Sequence, residues 1–289
     1  MYNLERLTMA TLPNDPRRLQ NINDDYFYNI NSEDKAYFLG LLLADGSMHK
    51  NRNRFSIALH VQDKEILDIF AQKLNAKVVS YKSRPEMCAL IITSKQLKES
   101  LLKLEMIPNK VKVLKFPETI PENLYSHFIR GYFDGDGSVN QYNVYLSSSS
   151  KVFLEKIKLI LDKKGINSYF YLQKDTQVNY LKFKSKESRK NFLNFIYADS
   201  QYFIDRKYQK AIVTHQIAPL EGKPLKQIAE KTVNPEIDLN FCKKCNQTKL
   251  YKYFVKKKGM LFGYANVCKA CQNLYQKKFK LGTRPEVVV

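Results

Sequence analysis

Two aspartates and four cysteines carry the chemistry that this sequence suggests. Asp45 and Asp136 stand 91 residues apart, and each is followed by glycine. Each closes an apolar segment with small residues four apart, Gly40/Ala44 in the first and Gly131/Gly135 in the second. If the segments are helices, small residues line one face of each, and two such faces let backbones approach closely. Face-to-face packing would then bring both carboxylates to the same end of the pair. They would sit at the negative ends of two helix dipoles, an arrangement that costs ~0.3–1 kcal/mol each from the dipole alone. Stability would not select it. A divalent cation reverses the sign of the argument, because anionic oxygen sites suit Mg²⁺. Phosphate-ester hydrolysis uses such ions to ready a water and to neutralise charge on the leaving oxygen. One Ala-Asp-Gly alone reads as a helix end and turn, with Gly46 and Gly137 as left-handed caps. The duplication is what sets this pair apart.

The cysteines form a second constellation. Cys242-x-x-Cys245 and Cys268-x-x-Cys271, twenty-two residues apart, have the spacing of a four-thiolate structural Zn²⁺ site. Between and after them lie Lys249, Lys252, Lys256, Lys257, Lys258, Lys277, Lys278 and Lys280, interleaved with Tyr251, Tyr253 and Phe254. The fifth cysteine, Cys88, reads as a buried strand residue. The four histidines, His49, His60, His127 and His215, share no spacing and read as structural or surface groups.

The elements that must position the acids also repeat. After each acid comes an alternating, strand-like stretch (Phe55–Val61; Asn143–Ser147). An amphipathic helix follows (Ile66–Leu74; Val152–Leu161), then two more strand-like stretches (Lys77–Tyr81 with Cys88–Thr93; Tyr169–Gln173 with Tyr180–Lys184). A second helix ends each copy (Lys95–Leu104; Lys186–Tyr197). The pattern predicts an α+β fold of two pseudo-symmetric αββαββα half-domains, plus a small zinc-binding domain. The expected boundaries are an extension at 1–30, half-domains at 31–114 and 115–216, a linker at 217–239 and a cysteine module at 240–289. Period-2 alternation places Phe55, Ile57, Leu59 and Val61 on one strand face, with Arg52, Arg54, Ser56 and His60 on the other. Likewise Gln141, Asn143, Tyr145 and Ser147 oppose Tyr142, Val144 and Leu146, while Tyr180, Lys182 and Lys184 oppose Leu181 and Phe183. The polar faces hold base-reading and phosphate-binding residue types.

Charge narrows the partner. The 289 residues carry +20, and residues 240–289 alone hold twelve Lys/Arg and one acid, Glu286. A polyanion is implied, either nucleic acid or an anionic surface. The longest apolar run, Ala36–Ala44, is far short of a membrane span of roughly 20 residues, and the N-terminus has no apolar signal core. The expectation is an intracellular, unsecreted protein with no membrane partner.

The segment Ile129-Arg130-Gly131-Tyr132-Phe133-Asp134-Gly135-Asp136-Gly137 closely resembles the motif of the LAGLIDADG homing endonucleases. Phe38 to Gly46 keeps its Gly40, Ala44, Asp45 and Gly46, and departs at Leu43, where the motif usually has an acid that is not the metal ligand. Ile107-Pro108-Asn109-Lys110 and Asp205-Arg206-Lys207-Tyr208 extend the resemblance over roughly residues 32–212. It implies a single-chain, two-motif enzyme whose motif helices form the interface and whose antiparallel sheets form a saddle over DNA. It implies Mg²⁺ (or Mn²⁺) held by Asp45 and Asp136, with the carbonyls of Ala44 and Gly135 nearby and Lys184 as a basic catalytic residue. The partner would be double-stranded DNA with a long, non-palindromic site, bound by a monomer. The cysteine segment resembles treble-clef-like zinc modules that often precede HNH nuclease domains. No histidine follows His215, so this module would bind rather than cut. Two other activities remain open on this fold: an intron maturase that binds intron RNA, and a DNA-binding regulator that does not cleave. An intein is disfavoured, because the chain begins Met-Tyr, ends Val-Val-Val and has no terminal His-Asn.

Overall fold

The structure is a computed structural model that describes residues 22–81, 83–220, 236, 239–242, 244–245, 247–257 and 264–280. Residues 1–21 of the expected extension, residues 221–235 and 237–238 of the expected linker, and Lys258 lie outside the described residues. The chain falls into two compact units, residues 1–223 and 224–289.

The first unit is the α+β repeat. Its first copy runs α1 (Glu33–Asp45), β1 (Gly46–Met48), β2 (Arg54–His60), α2 (Lys64–Lys73), β3 (Val78–Tyr81), β4 (Arg84–Thr93) and α3 (Lys95–Lys103). The second runs α4 (Tyr125–Asp136), β5 (Gly137–Val139), β6 (Val144–Ser148), α5 (Lys151–Lys163), β7 (Tyr169–Gln173), β8 (Val178–Lys182) and α6 (Lys186–Tyr197). A further helix, α7 (Asp205–His215), follows; its buried Tyr208, Ala211, Ile212 and His215 have helical spacing, although the segment was not among the expected elements. Each copy makes one antiparallel four-stranded sheet, ordered β1-β2-β4-β3 and β5-β6-β8-β7. The crossover order is the same in both, so the repeat in sequence is a repeat in topology.

Local chemistry sets the element ends. Ser94 accepts from the Leu97 amide (3.1 Å) and Ser185 from the Ser188 amide (2.9 Å), capping α3 and α6. The alternation of β2 is realised: Phe55, Ile57 and Leu59 are buried, while Arg54, Ser56 and His60 face away from the core. Val61, expected on the buried face, instead opens a 3₁₀ turn and is 38 % exposed. Cys88 is fully buried in β4, as expected. Residues 22–30, read as part of an extension, join the core through Ile22, Tyr26, Phe27 and Ile30. The ring of Phe70 stacks on Phe38 at 4.3 Å, tying α2 to α1.

The second unit has two antiparallel hairpins and a helix. β9 (Leu239–Cys242) pairs with β10 (Gln247–Leu250), β11 (Phe254–Lys256) pairs with β12 (Tyr264–Cys268), and α8 spans Lys269–Lys280.

Candidate active site and metal centre

α1 and α4 pack against each other along their small-residue faces. A methyl group built on Gly40 would collide with the Phe128 carbonyl, and one on Gly131 with the Tyr37 carbonyl. A methyl on Gly135 would lie 3.0 Å from Asp45 Oδ2. The helices therefore end side by side with Asp45 against the end of α4. The caps differ from expectation: Gly46 (φ −76°) and Gly137 (φ −99°) are extended, not left-handed. Glycine is needed there for space, since a side chain on Gly46 would meet the Leu42 carbonyl and Met106, and one on Gly137 the Phe133 ring.

Burial first, then the facing Asp136 carboxylate, push the Asp45 pKa up to about 6, against the pull of Lys207 and Lys110. Burial also raises Asp136, opposed by a hydrogen bond from Tyr132 and by the same two lysines. Ser147 Oγ donates to the Asp136 carbonyl (2.7 Å), and Tyr132 Oη to the Ser147 carbonyl (2.9 Å), so β6 braces the end of α4. A cleft of about 190 Å³ opens here, lined by Ala44, Lys110, Tyr132, Asp136 and Ser147 among others.

The basic groups at the pair are Lys110 and Lys207. Lys207 Nζ donates to the carbonyls of Phe133 (2.7 Å), Asp134 (2.7 Å), Gly137 (2.7 Å) and Gly135 (3.3 Å). Lys110 Nζ does the same for α1, donating to Gly46 O and Ala44 O. Each ammonium thus satisfies carbonyls that a helix end leaves open and meets the negative end of its dipole. Burial lowers the Lys207 pKa to about 8, against the attraction of Asp134, Asp45 and Asp136, and it lowers Lys110 in the same way. Lys184, to which the resemblance gives a catalytic role, lines a cavity with Asn167, Ser168, Tyr169, Ser185 and Ser188. It lies two residues beyond the end of β8, in the chain leading to α6. Sequence reasoning quoted the segments holding Lys110 and Lys207 without giving them chemistry. The available signal was a lysine closing each copy, 65 residues after Asp45 and 71 after Asp136.

The polar face of the sheets is only partly as expected. Arg54, Ser56 and His60 lie on β2, and Tyr145, Ser147, Tyr180 and Lys182 on β6 and β8. Arg52, Gln141 and Asn143 lie in the turns before β2 and β6, where the strand has not yet formed. Tyr142, expected to face inward, is 73 % exposed at that turn. Asn140 Oδ1 accepts from the Tyr142 and Asn143 amides (3.0 and 2.9 Å), which holds the turn. The histidines do structural work: His49 Nδ1 accepts from the Asn51 and Arg52 amides, and His60 Nδ1 from the Gln62 amide.

In the second unit the ligand atoms of Cys242, Cys245, Cys268 and Cys271 all lie within 4.8 Å of one another. A Zn²⁺ tetrahedron with Zn–S near 2.3 Å needs sulfurs roughly 3.8 Å apart, so a small contraction closes the site. Cys242 and Cys268 end two strands, Cys245 sits in the β9–β10 turn and Cys271 in the first turn of α8. The Cys268 amide donates to Cys242 Sγ (3.3 Å), and Lys249 Nζ lies 3.8 Å from Cys268 Sγ. These donors suit thiolates, and an all-sulfur tetrahedral set suits zinc.

Residues 34–119 match the family model of the WhiA LAGLIDADG-like domain, and residues 123–197 match that of the LAGLIDADG-like domain. The chain contains two LAGLIDADG-like domains. A segment of subunit Rpo1C of the DNA-directed RNA polymerase of Methanocaldococcus jannaschii is 26% identical over 219 residues, covering 71% of this chain and 25% of that one. A probable translation initiation factor IF-2 of Thermococcus kodakarensis is 30% identical over 146 residues, covering 47% of this chain and 12% of that one. The chain therefore spans a quarter or less of these curated relatives. Among solved structures, I-DmoI in complex with DNA and Mn aligns with TM-score 0.44 and 17% identity, over 58% of this chain and 98% of that one. The N-terminal LAGLIDADG domain of DUF199/WhiA aligns with TM-score 0.42 and 17% identity, over 62% of this chain and 89% of that one. Among the described residues of the LAGLIDADG pair and of the second unit, no helix is long and apolar enough to cross a membrane.

Proposed function

We propose that this protein is a site-specific double-strand DNA endonuclease that hydrolyses phosphodiester bonds with divalent metal ions held by Asp45 and Asp136. The observation that carries the reading is the pair of aspartates at the joined ends of α1 and α4, Asp45 open to solvent and Asp136 half-buried, both with raised pKa values. Two carboxylates at two helix C-termini are poor for folding, even with Lys110 and Lys207 beside them, and suited to a hard cation. The donor set is all oxygen: the two carboxylates, with the Ala44 and Gly135 carbonyls beside them. When bound, the ions would polarise the scissile phosphate and ready a water for attack.

The chain's own residues supply the rest. Lys110 and Lys207 hold the helix ends in place and present positive charge where phosphate would enter. Tyr132 and Ser147 fix the end of α4. Arg54, Ser56, His60, Lys182 and the turn residues Arg52, Gln141 and Asn143 would contact a duplex laid across the sheets, and their difference between halves suits a non-palindromic site bound by a monomer. The second unit, with its lysines, would anchor flanking DNA. Portability supports the reading as well, because segments like this one occur within proteins as differently named as a polymerase subunit and an initiation factor.

A second reading has its own observation. The first copy matches a WhiA-type model, which leaves a DNA-binding regulator in view. Asp45→Asn and Asp136→Asn separate the two readings. Each substitution should abolish Mg²⁺-dependent cleavage, at least 100-fold by the ~10²–10⁴ contribution typical of a single catalytic group, while duplex binding stays within about threefold. Unimpaired cutting by the double variant would remove these residues from the chemistry. Absence of cutting by the unsubstituted protein on any site it binds tightly would favour the regulator.

A further inference from the structure

The open face of the second sheet differs in kind from that of the first, although their topologies match. In antiparallel pairing, directly opposed residues share a face. One row across the second sheet reads Ser138, Tyr145, Lys182, Tyr169, and the next reads Ser147, Tyr180, Tyr171. The corresponding registers of the first sheet put Ser56, Ile91, Ala89 and Val79 where the second has Tyr145, Lys182, Tyr180 and Tyr171. The fold therefore does not require aromatic rings there. Yet four tyrosines gather: Tyr145 meets Tyr180 edge-on at 5.2 Å, and Tyr171 lies 6.1 Å from Tyr180. Tyr169 and Tyr171, on the edge strand β7, are 43 % and 49 % exposed. Lys182 Nζ stands 4.0 Å from the centre of the Tyr171 ring, and neither row contains a carboxylate.

Duplex DNA offers phosphates and groove edges, which call for Arg, Lys, Asn and Gln, while its base faces are hidden in the stack. Unpaired bases offer π-faces, and aromatic side chains on a sheet are the surface that binds them. A patch with four rings and one cation is matched to the second partner. An exposed apolar edge strand is also an aggregation liability unless something covers it. We infer that Tyr145, Tyr169, Tyr171 and Tyr180 form a stacking platform for single-stranded nucleic acid, with Lys182 turning from the Tyr171 ring to a phosphate when the strand binds. This site does not depend on the cleavage reading.

The test is fluorescence anisotropy with the full chain in the absence of divalent ions, using labelled 20-nucleotide oligo-uridine, oligo-thymidine and a 20-base-pair duplex. Tyr171→Ala and Tyr180→Ala should each weaken single-strand binding by about 5- to 150-fold, the range that loss of one stacked base gives. Duplex binding should fall by clearly less than single-strand binding does. Tyr171→Phe and Tyr180→Phe keep the ring and should stay near the unsubstituted affinity, which also controls for folding. The tighter of the two single strands identifies the natural class, and either supports the platform. Unchanged single-strand affinity in the Ala variants would overturn it. So would an equal loss on the duplex, or a loss in the Phe variants as large as in the Ala variants, since that would make the hydroxyls the contact.

Discussion

Lys207 and Lys110 are the residues on which the site's geometry most directly rests. Lys207 reaches four carbonyls at the end of α4, whereas Lys110 reaches two at the end of α1. Removing one partner of a buried charged network typically costs ~3–5 kcal/mol, because the remaining groups are left uncompensated. Each buried acceptor stripped of its donor adds to that. Lys207→Met should therefore destabilise the first unit by about 3 kcal/mol and Lys110→Met by less, about 1–2 kcal/mol. Urea denaturation followed by far-UV circular dichroism would check the order. A larger loss for Lys110→Met would mean that carbonyl number does not set the cost.

At the scale of elements, the helix pair is specified by absence of side chain on one face and by polar pairs that join Glu33 and Tyr37 of α1 to Arg130 and Asp134 of α4. Leu39 and Leu43 of α1 correspond to Arg130 and Asp134 of α4. Arg130 is fully buried, with NH2 2.7 Å from Glu33 and further bonds to the Ile196 and Tyr202 carbonyls. Tyr37 Oη donates to Asp134 Oδ2 at 2.8 Å. Two first copies would lack Arg130 and Asp134, and two second copies would have Leu124 and Phe128 in place of Glu33 and Tyr37, so the pairing favours one copy of each. The glycines set the distance. Gly131→Ala should cost about 3 kcal/mol or more, beyond ordinary overpacking, because the obstacle is the Tyr37 backbone rather than a mobile side chain. Gly165→Ala is the control: at φ +70° with no atom near, it should cost only about 1–2 kcal/mol of backbone strain. Equal thermal shifts for the two would contradict close helix contact as the source.

For the whole molecule, positive charge is concentrated in the second unit. Residues 240–289 hold +11 of the +20. Observed affinity for duplex DNA falls with salt at a slope of about −0.9 per phosphate neutralised. Deleting residues 240–289 should weaken DNA binding and flatten that slope, while single-turnover cleavage at saturating enzyme persists. Unchanged slope and affinity would mean that this unit contacts something other than DNA. Among the described residues, the core here is built largely from the cysteines themselves: Cys242, Phe254 and Cys268, with Cys245, Tyr264, Val267 and Cys271 packed against it. A zinc chelator should therefore make residues 240–289 protease-sensitive while the first unit stays resistant. Protease resistance of both units after zinc is removed would show that the metal is dispensable for folding.

Sequence periodicity alone determined the two-copy α+β plan, because apolar spacing of two and of three to four reports which side of an element is buried, and both copies repeat it. The duplicated Asp-Gly ends and the paired Cys-x-x-Cys spacings were legible for the same reason: they are local patterns. What the tertiary structure alone decided is which distant cations meet the acids. The resemblance offered Lys184 as the basic residue, whereas Lys110 and Lys207 act on Asp45 and Asp136 from 65 and 71 residues away, through chain paths that no local pattern encodes. The role of Gly46 and Gly137 was also decided there. Their φ angles are ordinary, and the demand for glycine comes from Leu42, Met106 and Phe133 filling the space that a Cβ would take. Proximity did the rest: an aspartate in a string of letters has its solution pKa, and Asp45 acquires a value of about 6 only when the packed ends of α1 and α4 strip part of its hydration and set Asp136 opposite it.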